Sequence, residues 1–138
     1  MNWKEISEKY PKAFYELLIW FITSSEYKRE FAIDLLNEDD KFKKSPYEYF
    51  KYNYLTAYED FSWDYRNLYD FFDEQEIFIE IEFYPIPESP KKPWTCNGTI
   101  FEGNDLHLKW CSEEYIKRSD EEEATFIKAF EILEEKLK

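Results

Sequence analysis

The chain has 138 residues, a formal charge of −13, 22% aromatic residues and two glycines. Such aromatic richness excludes a disordered composition, and Gly98 and Gly103 cannot build a Walker-type phosphate loop or a dinucleotide-binding glycine fingerprint. The acidic excess disfavours direct binding to nucleic acid or to an anionic membrane, so a charged partner is expected to be basic, unless the acids serve solubility alone.

This length predicts one domain, 1–138, mainly helical over 1–75 and carrying a sheet plus a C-terminal helix over 76–138. The N-terminus lacks a long apolar run, and the longest such run, Leu17 to Ile22, is too short to span a membrane. A cytoplasmic location is therefore expected, where two cysteines are usually reduced.

Trp3, Ile6, Tyr10, Phe14, Leu17, Leu18, Phe21 and Ile22 recur at helical spacing, interrupted by Pro11. Proline suits the first turn of a helix and breaks its interior, which predicts a short helix over Trp3 to Lys9 and a second from Pro11 to about Ile22. Thr23-Ser24-Ser25-Glu26 matches a capping box and predicts a helix to about Leu36 that buries Tyr27, Phe31 and Leu35. Asn37 to Lys41 reads as a solvated loop.

Ser45-Pro46-Tyr47-Glu48 is a second capping box with proline at the first helical position. Beyond it Tyr47, Phe50, Tyr54, Tyr58 and Phe61 keep helical spacing, while Phe50, Tyr52 and Tyr54 also alternate as a strand would. The pattern over 46–60 leaves helix and strand open, and the cap favours helix. A further helix is expected over Tyr65 to Glu74, burying Leu68, Phe71 and Phe72.

Ile77 to Tyr84 is the clearest strand in the chain. Alternate side chains point to opposite faces, so Ile77, Ile79, Ile81 and Phe83 form a dry face and Phe78, Glu80, Glu82 and Tyr84 a wetter one. One dry and one wet face indicate an antiparallel sheet. Pro85 ends the strand and opens a proline-rich connection to Pro93, with Lys91 and Lys92 in it.

Trp94 to Phe101 and Leu106 to Cys111 read as a hairpin turning at Gly103-Asn104. That register sets Phe101 opposite Leu106 and Cys96 opposite Cys111. Opposed residues have Cα atoms about 4.5–5.5 Å apart, within reach of a disulfide. Two reduced cysteines side by side are the simpler outcome. Ser119-Asp120-Glu121-Glu122 is a third capping box, and the helix it opens, to about Leu137, has Phe126, Ile127, Phe130, Leu133 and Leu137 as its dry face. Laying that face on Ile77, Ile79 and Ile81 gives an α+β fold. N-terminal helical segments pack with a small antiparallel sheet of about three strands, and the C-terminal helix covers one sheet face.

Chemistry is sparsely signalled. His107 is the single histidine, and four strand residues separate it from Cys111 by roughly 13 Å, too far for a Cys–His dyad. Zinc-ligand spacing is lacking. Carboxylates alone could hold magnesium or calcium, with Glu80, Glu82, Asp70, Asp73, Glu74 and Glu76 the nearest in sequence, although a solvated acidic face explains the same residues. No cofactor and no catalytic residue is expected. The aromatics between Tyr47 and Phe72 are interleaved with acids such as Glu59, Asp60 and Asp64, not with bases, which disfavours base stacking on nucleic acid.

Three stretches carry a resemblance: Asn2-Trp3-Lys4-Glu5-Ile6 with Lys9-Tyr10-Pro11-Lys12-Ala13-Phe14, Asn67 to Glu74, and Ala129-Phe130-Glu131-Ile132-Leu133-Glu134. Together they resemble small uncharacterised proteins of bacteriophages and bacterial mobile elements. The resemblance covers about a quarter of the chain and brings no activity with it. It implies a phage accessory role, including inhibition of host defence, where some acidic proteins occupy the nucleic-acid site of their target.

Three functions follow as expectations. The first is a non-enzymatic interaction module that binds a basic protein surface, as a nucleic-acid mimic in its sharpest form. Its candidate contact residues are Asp70, Asp73, Glu74, Glu76, Glu80, Glu82, Asp120, Glu121, Glu122 and Glu123. The second is a structural or assembly subunit using Trp94, Trp110 or Tyr84 as an apolar patch. The third is a carboxylate-dependent divalent-metal hydrolase. The sequence leaves the partner and the oligomeric state open.

Overall fold

Asn2 starts the first helix by accepting the Glu5 N–H on its side-chain oxygen at 3.2 Å. The computed structural model describes residues 1–24, 27–55, 65–85, 94–112 and 117–138. They fall into two compact units, Met1–Asp64 with Glu134–Lys138, and Tyr65–Leu133. Seven α-helices and three strands occur among the described residues.

In the first unit α1 (Trp3–Lys9) buries Trp3 and Ile6, and α2 (Pro11–Ser24) opens on its proline, as the spacing predicted. Ala13, Phe14, Leu17, Leu18, Ile19 and Ile22 of α2 are buried. Thr23 does not cap the next helix, whose N-cap position is Lys28. The Thr23 hydroxyl donates to the Trp20 carbonyl at 2.9 Å, inside a helix that runs on to Ser24. Back-bonding of this kind competes with capping. Ser25 and Glu26 lie outside the described residues.

The next helix, α3 (Arg29–Asn37), buries Ala32 and Leu36, while Leu35 is half-buried. The expected core residues Tyr27 and Phe31 are 48% and 45% exposed, their rings 4.9 Å apart. The small Ala32 turns inward, and Phe31, one position away, is carried about 100° around the helix. The polar stretch expected as a loop contains a short helix, α4 (Asp40–Lys44), started by Asp39, whose carboxylate accepts the Lys41 N–H at 2.8 Å.

Pro46 opens α5 (Pro46–Phe50), and a π-helical turn, Lys51–Leu55, continues it. The ambiguity over 46–60 is therefore helical as far as 55; Tyr58 and Phe61 lie outside the described residues. Ser45 makes no side-chain cap bond, so proline alone sets this start. Phe50 is fully buried, with its ring 5.5 Å from Trp3 and 5.4 Å from Phe14.

The second unit begins with α6 (Tyr65–Glu74), which buries Leu68, Phe71 and Phe72. A turn at Gln75-Glu76, with Glu76 at φ 59°, leads into β1 (Ile77–Pro85). The antiparallel sheet is ordered β1-β2-β3, with β2 at Trp94–Glu102 and β3 at His107–Cys111. The last helix, α7 (Arg118–Lys136), packs against it. Ile77 and Ile100 of the sheet are buried with Phe126, Ala129, Phe130 and Leu133 of α7. Phe72 joins the layers, its ring 6.1 Å from Phe126 and 5.0 Å from Phe130. The fold is α+β, as the periodicities predicted.

Four expectations are corrected in this unit. The isoleucine face of β1 is covered at one end only. Ile77 is buried, Ile79 and Ile81 are half-buried and Phe83 is 48% exposed, because β1 is an edge strand that runs out from under the helices. The helix α7 starts at Arg118 and not at a Ser119 cap. Ile127 and Leu137 of the expected dry face are half-buried.

The hairpin register also differs. Its turn spans four residues, 103–106, with φ of 77° at Gly103 and 50° at Leu106, and a bulge lies between Ile100 and Phe101. Phe101 is opposite Leu108, and Thr99 is opposite Cys111. Cys96 is opposite Phe83 on the helix-covered face, so the cysteines point to opposite faces and both are free. They are neither bridged nor side by side.

Candidate partner-binding surface

Register assigns each side chain of the sheet to a face. Cys96, Gly98 and Ile100 share the helix-covered face with Ile77, Ile79, Ile81 and Phe83. The other face bears Phe78, Glu80, Glu82 and Tyr84 of β1, Thr95, Asn97, Thr99 and Phe101 of β2, and Leu108 and Cys111 of β3. Glu80 is exposed and Glu82 half-buried. The Tyr84 hydroxyl donates to Glu82, and that bond, first among several causes, pushes the tyrosine pKa up. Neither glutamate has a cationic partner among the described residues. Leu108 on the same face is 62% exposed.

The remaining candidate acids are placed elsewhere. Asp70, Asp73 and Glu74 are exposed on α6, and Glu76 is exposed at the turn after it. Partial desolvation, and then the neighbouring Asp70 charge, raise the Asp73 pKa. On α7, Asp120 is exposed and Glu123 half-buried, whereas Glu121 and Glu122 are buried.

Those two buried acids are committed to the unit's own structure. Glu121 Oε1 accepts the Gly98 N–H, while its Oε2 is buried with no hydrogen-bond partner among the described residues. Glu122 accepts from Arg118 Nε at 2.9 Å and from the Tyr69 hydroxyl at 3.4 Å. Arg118 also lies over the Phe83 ring, 5.5 Å from its centre. The structure thus brings Glu80 and Glu82 together on one face. The acids of α6 and α7 belong to the helical layer on the other side of the sheet, and the run Asp120 to Glu123 is divided between solvent and interior.

Three features are ones the periodicities did not expose. Gly98 lies under α7, where an added Cβ would sit 1.9 Å from Thr125 Oγ1. A glycine inside a strand pattern is itself a signal of close backbone approach. In the first unit, Glu134 accepts the backbone N–H groups of Lys12 and Ala13 at 2.8 and 2.9 Å. The outer edge of β1 has no strand beside it among the described residues.

Other chemistry has less support. Among the described residues no three His, Cys, Asp or Glu side chains converge to hold a metal ion. His107 pairs with Glu102 and Cys111 with Thr99, which sets the two on opposite faces. A cavity of about 360 Å³ in the first unit is lined by Pro11, Lys12, Tyr15, Glu16, Pro46 and Leu137. Its charged groups are used internally: Glu16 holds Arg29 through two bonds of 2.8 and 2.9 Å, and Lys12 Nζ donates to the Leu137 carbonyl at 3.2 Å. Of the residues expected in an apolar patch, Tyr84 is exposed and Trp110 half-buried; the Trp94 side chain lies outside the described residues. No helix among the described residues is long and apolar enough to cross a membrane. Comparison with protein-family models, with curated proteins and with solved structures gave no match.

Proposed function

We propose that this chain is a non-enzymatic interaction module that binds a basic protein surface through the sheet face that bears Glu80 and Glu82. The observation behind this reading is the pair Glu80 and Glu82, adjacent on that face and without a cationic partner among the described residues. Strand neighbours two apart are roughly 6.7 Å from each other, a spacing at which two carboxylates can stand in for successive phosphates. Carboxylates accept paired bonds from arginine, and Phe78, Phe101, Tyr84 and Leu108 on the same face offer apolar area beside them. The resemblance to phage and mobile-element proteins adds a cytoplasmic accessory role, as an inhibitor that occupies a host protein's nucleic-acid site.

The test is titration of a labelled arginine-rich peptide into the protein at low and high salt. Glu80→Gln/Glu82→Gln is compared with Asp34→Asn/Glu38→Gln, which removes the same charge from α3. Affinity should fall steeply with salt, as exposed charge pairs are screened within about 10 Å at 0.1 M. The sheet variant should bind more weakly than the helix variant. Equal losses from both would reduce the effect to net charge and end the assignment to this face.

A further inference from the structure

The two edges of the sheet differ in a way that bears on how a partner would bind. The β3 edge is five residues long and is interrupted by a bulge at Lys109. Short length, bulges and lysine are the devices by which proteins block edge-to-edge pairing. The β1 edge has none of them. It is nine residues long, pairs with β2 in unbroken register and has no lysine, with proline only at its last position. Its outer backbone donors and acceptors face no strand among the described residues.

We propose that the outer edge of β1 accepts an extended segment of the partner as an added strand, one alternating cationic with apolar residues. This rests on the reading of Glu80 and Glu82 as the acids that meet the partner. The alternation follows from the two faces. A strand laid beside β1 presents every second side chain to the face of Glu80 and Glu82, which have no cationic partner among the described residues. The intervening side chains go to the other face, beside the half-buried Ile79 and Ile81 and the exposed Phe83. Backbone bonds would supply affinity and the alternating side chains specificity.

A second copy of the chain is a poorer occupant in the registers centred on this strand. Antiparallel self-pairing about Ile81, with both helical layers on one side, sets Glu80 of each copy against Glu82 of the other. Like charges directly opposite are destabilising. Pairing centred on Glu80 or Glu82 sets that glutamate against itself. The same two carboxylates that disfavour these self-pairings select a basic strand.

The probe is a short blocked peptide alternating lysine and valine, with a fully N-methylated analogue that keeps every charge and has no backbone donor. Binding to the full chain is measured at low salt, and amide hydrogen exchange is followed across β1. Strand addition predicts that the unmethylated peptide slows exchange at alternate β1 amides and that methylation weakens binding by about tenfold or more, since several backbone bonds are lost. Glu80→Gln/Glu82→Gln should weaken the unmethylated peptide by about fivefold, as expected for two exposed charge pairs. Equal binding of both peptides without β1 protection would overturn the strand mode and leave the acidic-face reading standing. Failure of both peptides to bind at low salt would overturn both readings.

Discussion

The backbone N–H of Gly98, in the middle strand, donates to the carboxylate of Glu121, in the first turns of the last helix. Thr125, one turn further along, sits where a side chain at 98 would go. The helix is thereby held against the one strand position that has no Cβ. Gly98→Ala would place a carbon 1.9 Å from Thr125 Oγ1, 2.8 Å from Glu121 Oε1 and 3.0 Å from Thr125 Cβ. Overpacking of this kind costs about 1–3 kcal/mol, and the shift it forces also pulls on the Glu121 bond. Gly103→Ala meets nothing within 4 Å and is strained only by its φ of 77°, at a cost of about 1 kcal/mol. Urea denaturation should rank Gly98→Ala as the more damaging, and the reverse order would show that α7 does not bear on β2 at this point.

Glu121 itself separates charge from hydrogen bonding. Its Oε1 is bonded and its Oε2 is buried without a partner among the described residues. Burying a charged group costs more than burying a neutral amide. Glu121→Gln should therefore keep the Gly98 bond and match or exceed the parent's stability, whereas Glu121→Ala should lose about 0.5–1.5 kcal/mol, the worth of one hydrogen bond, since Ser112 Oγ still accepts the Gly98 N–H at 2.7 Å. Equal destabilisation by the two would indicate that the negative charge is needed.

The first turn of α2 contains no acid of its own, and Glu134 fills that role by accepting from Lys12 and Ala13. Loss of a capping side chain costs about 1–2 kcal/mol, which is the expected effect of Glu134→Ala. Glu134→Gln retains an acceptor and forgoes mainly the charge–dipole part, about 0.3–1 kcal/mol. Glu135→Ala, at an exposed position paired with Lys138, should change little. A melt in which Glu134→Ala and Glu135→Ala behave alike would refute the cap.

Tyr69 gives the second unit an alkaline limit. Burial first, and then the Glu122 charge, raise its pKa above the ordinary tyrosine value of 10.0. A folded pKa above the unfolded one means that the stability is fully present below the unfolded value and is lost as pH rises past it. The melting temperature should fall as pH rises above about 10, and Tyr69→Phe should flatten that fall. An unchanged alkaline slope in the variant would assign the effect to other tyrosines.

The cysteines should react as two different groups. Cys111 is exposed, whereas Cys96 is buried and its thiol pKa is raised by that burial first, then by Glu121 and Glu122. A thiol reagent should label Cys111 quickly and Cys96 only on unfolding, and mild oxidation should form no intrachain bridge. Intrachain bridging under native conditions would contradict the hairpin register.

Much of the fold was legible because helices and strands are written in local periodicity. Leu68, Phe71 and Phe72 recur at helical spacing and all three are buried in α6. The alternation from Ile77 foretold a strand in nearly its observed bounds. The candidate site was legible only as far as Glu80 and Glu82, whose shared face follows from the strand alone. Glu121 and Glu122 read as surface acids by composition, and neither Gly98 nor Tyr69, which meet them, is near them in sequence.

What the sequence determined by itself is therefore which segments coil, which extend and which residues lie on the same side of each. That information sits in a few consecutive residues, because backbone geometry repeats every 3.6 residues in a helix and every two in a strand. What only the tertiary structure decided is register and pairing. A four-residue turn and one bulge moved Cys96 and Cys111 to opposite faces, and the arrival of α7 over Gly98 turned two acids inward. A single-residue slip reverses every face of a strand, and a carboxylate's surroundings are supplied by whichever distant segment packs on it.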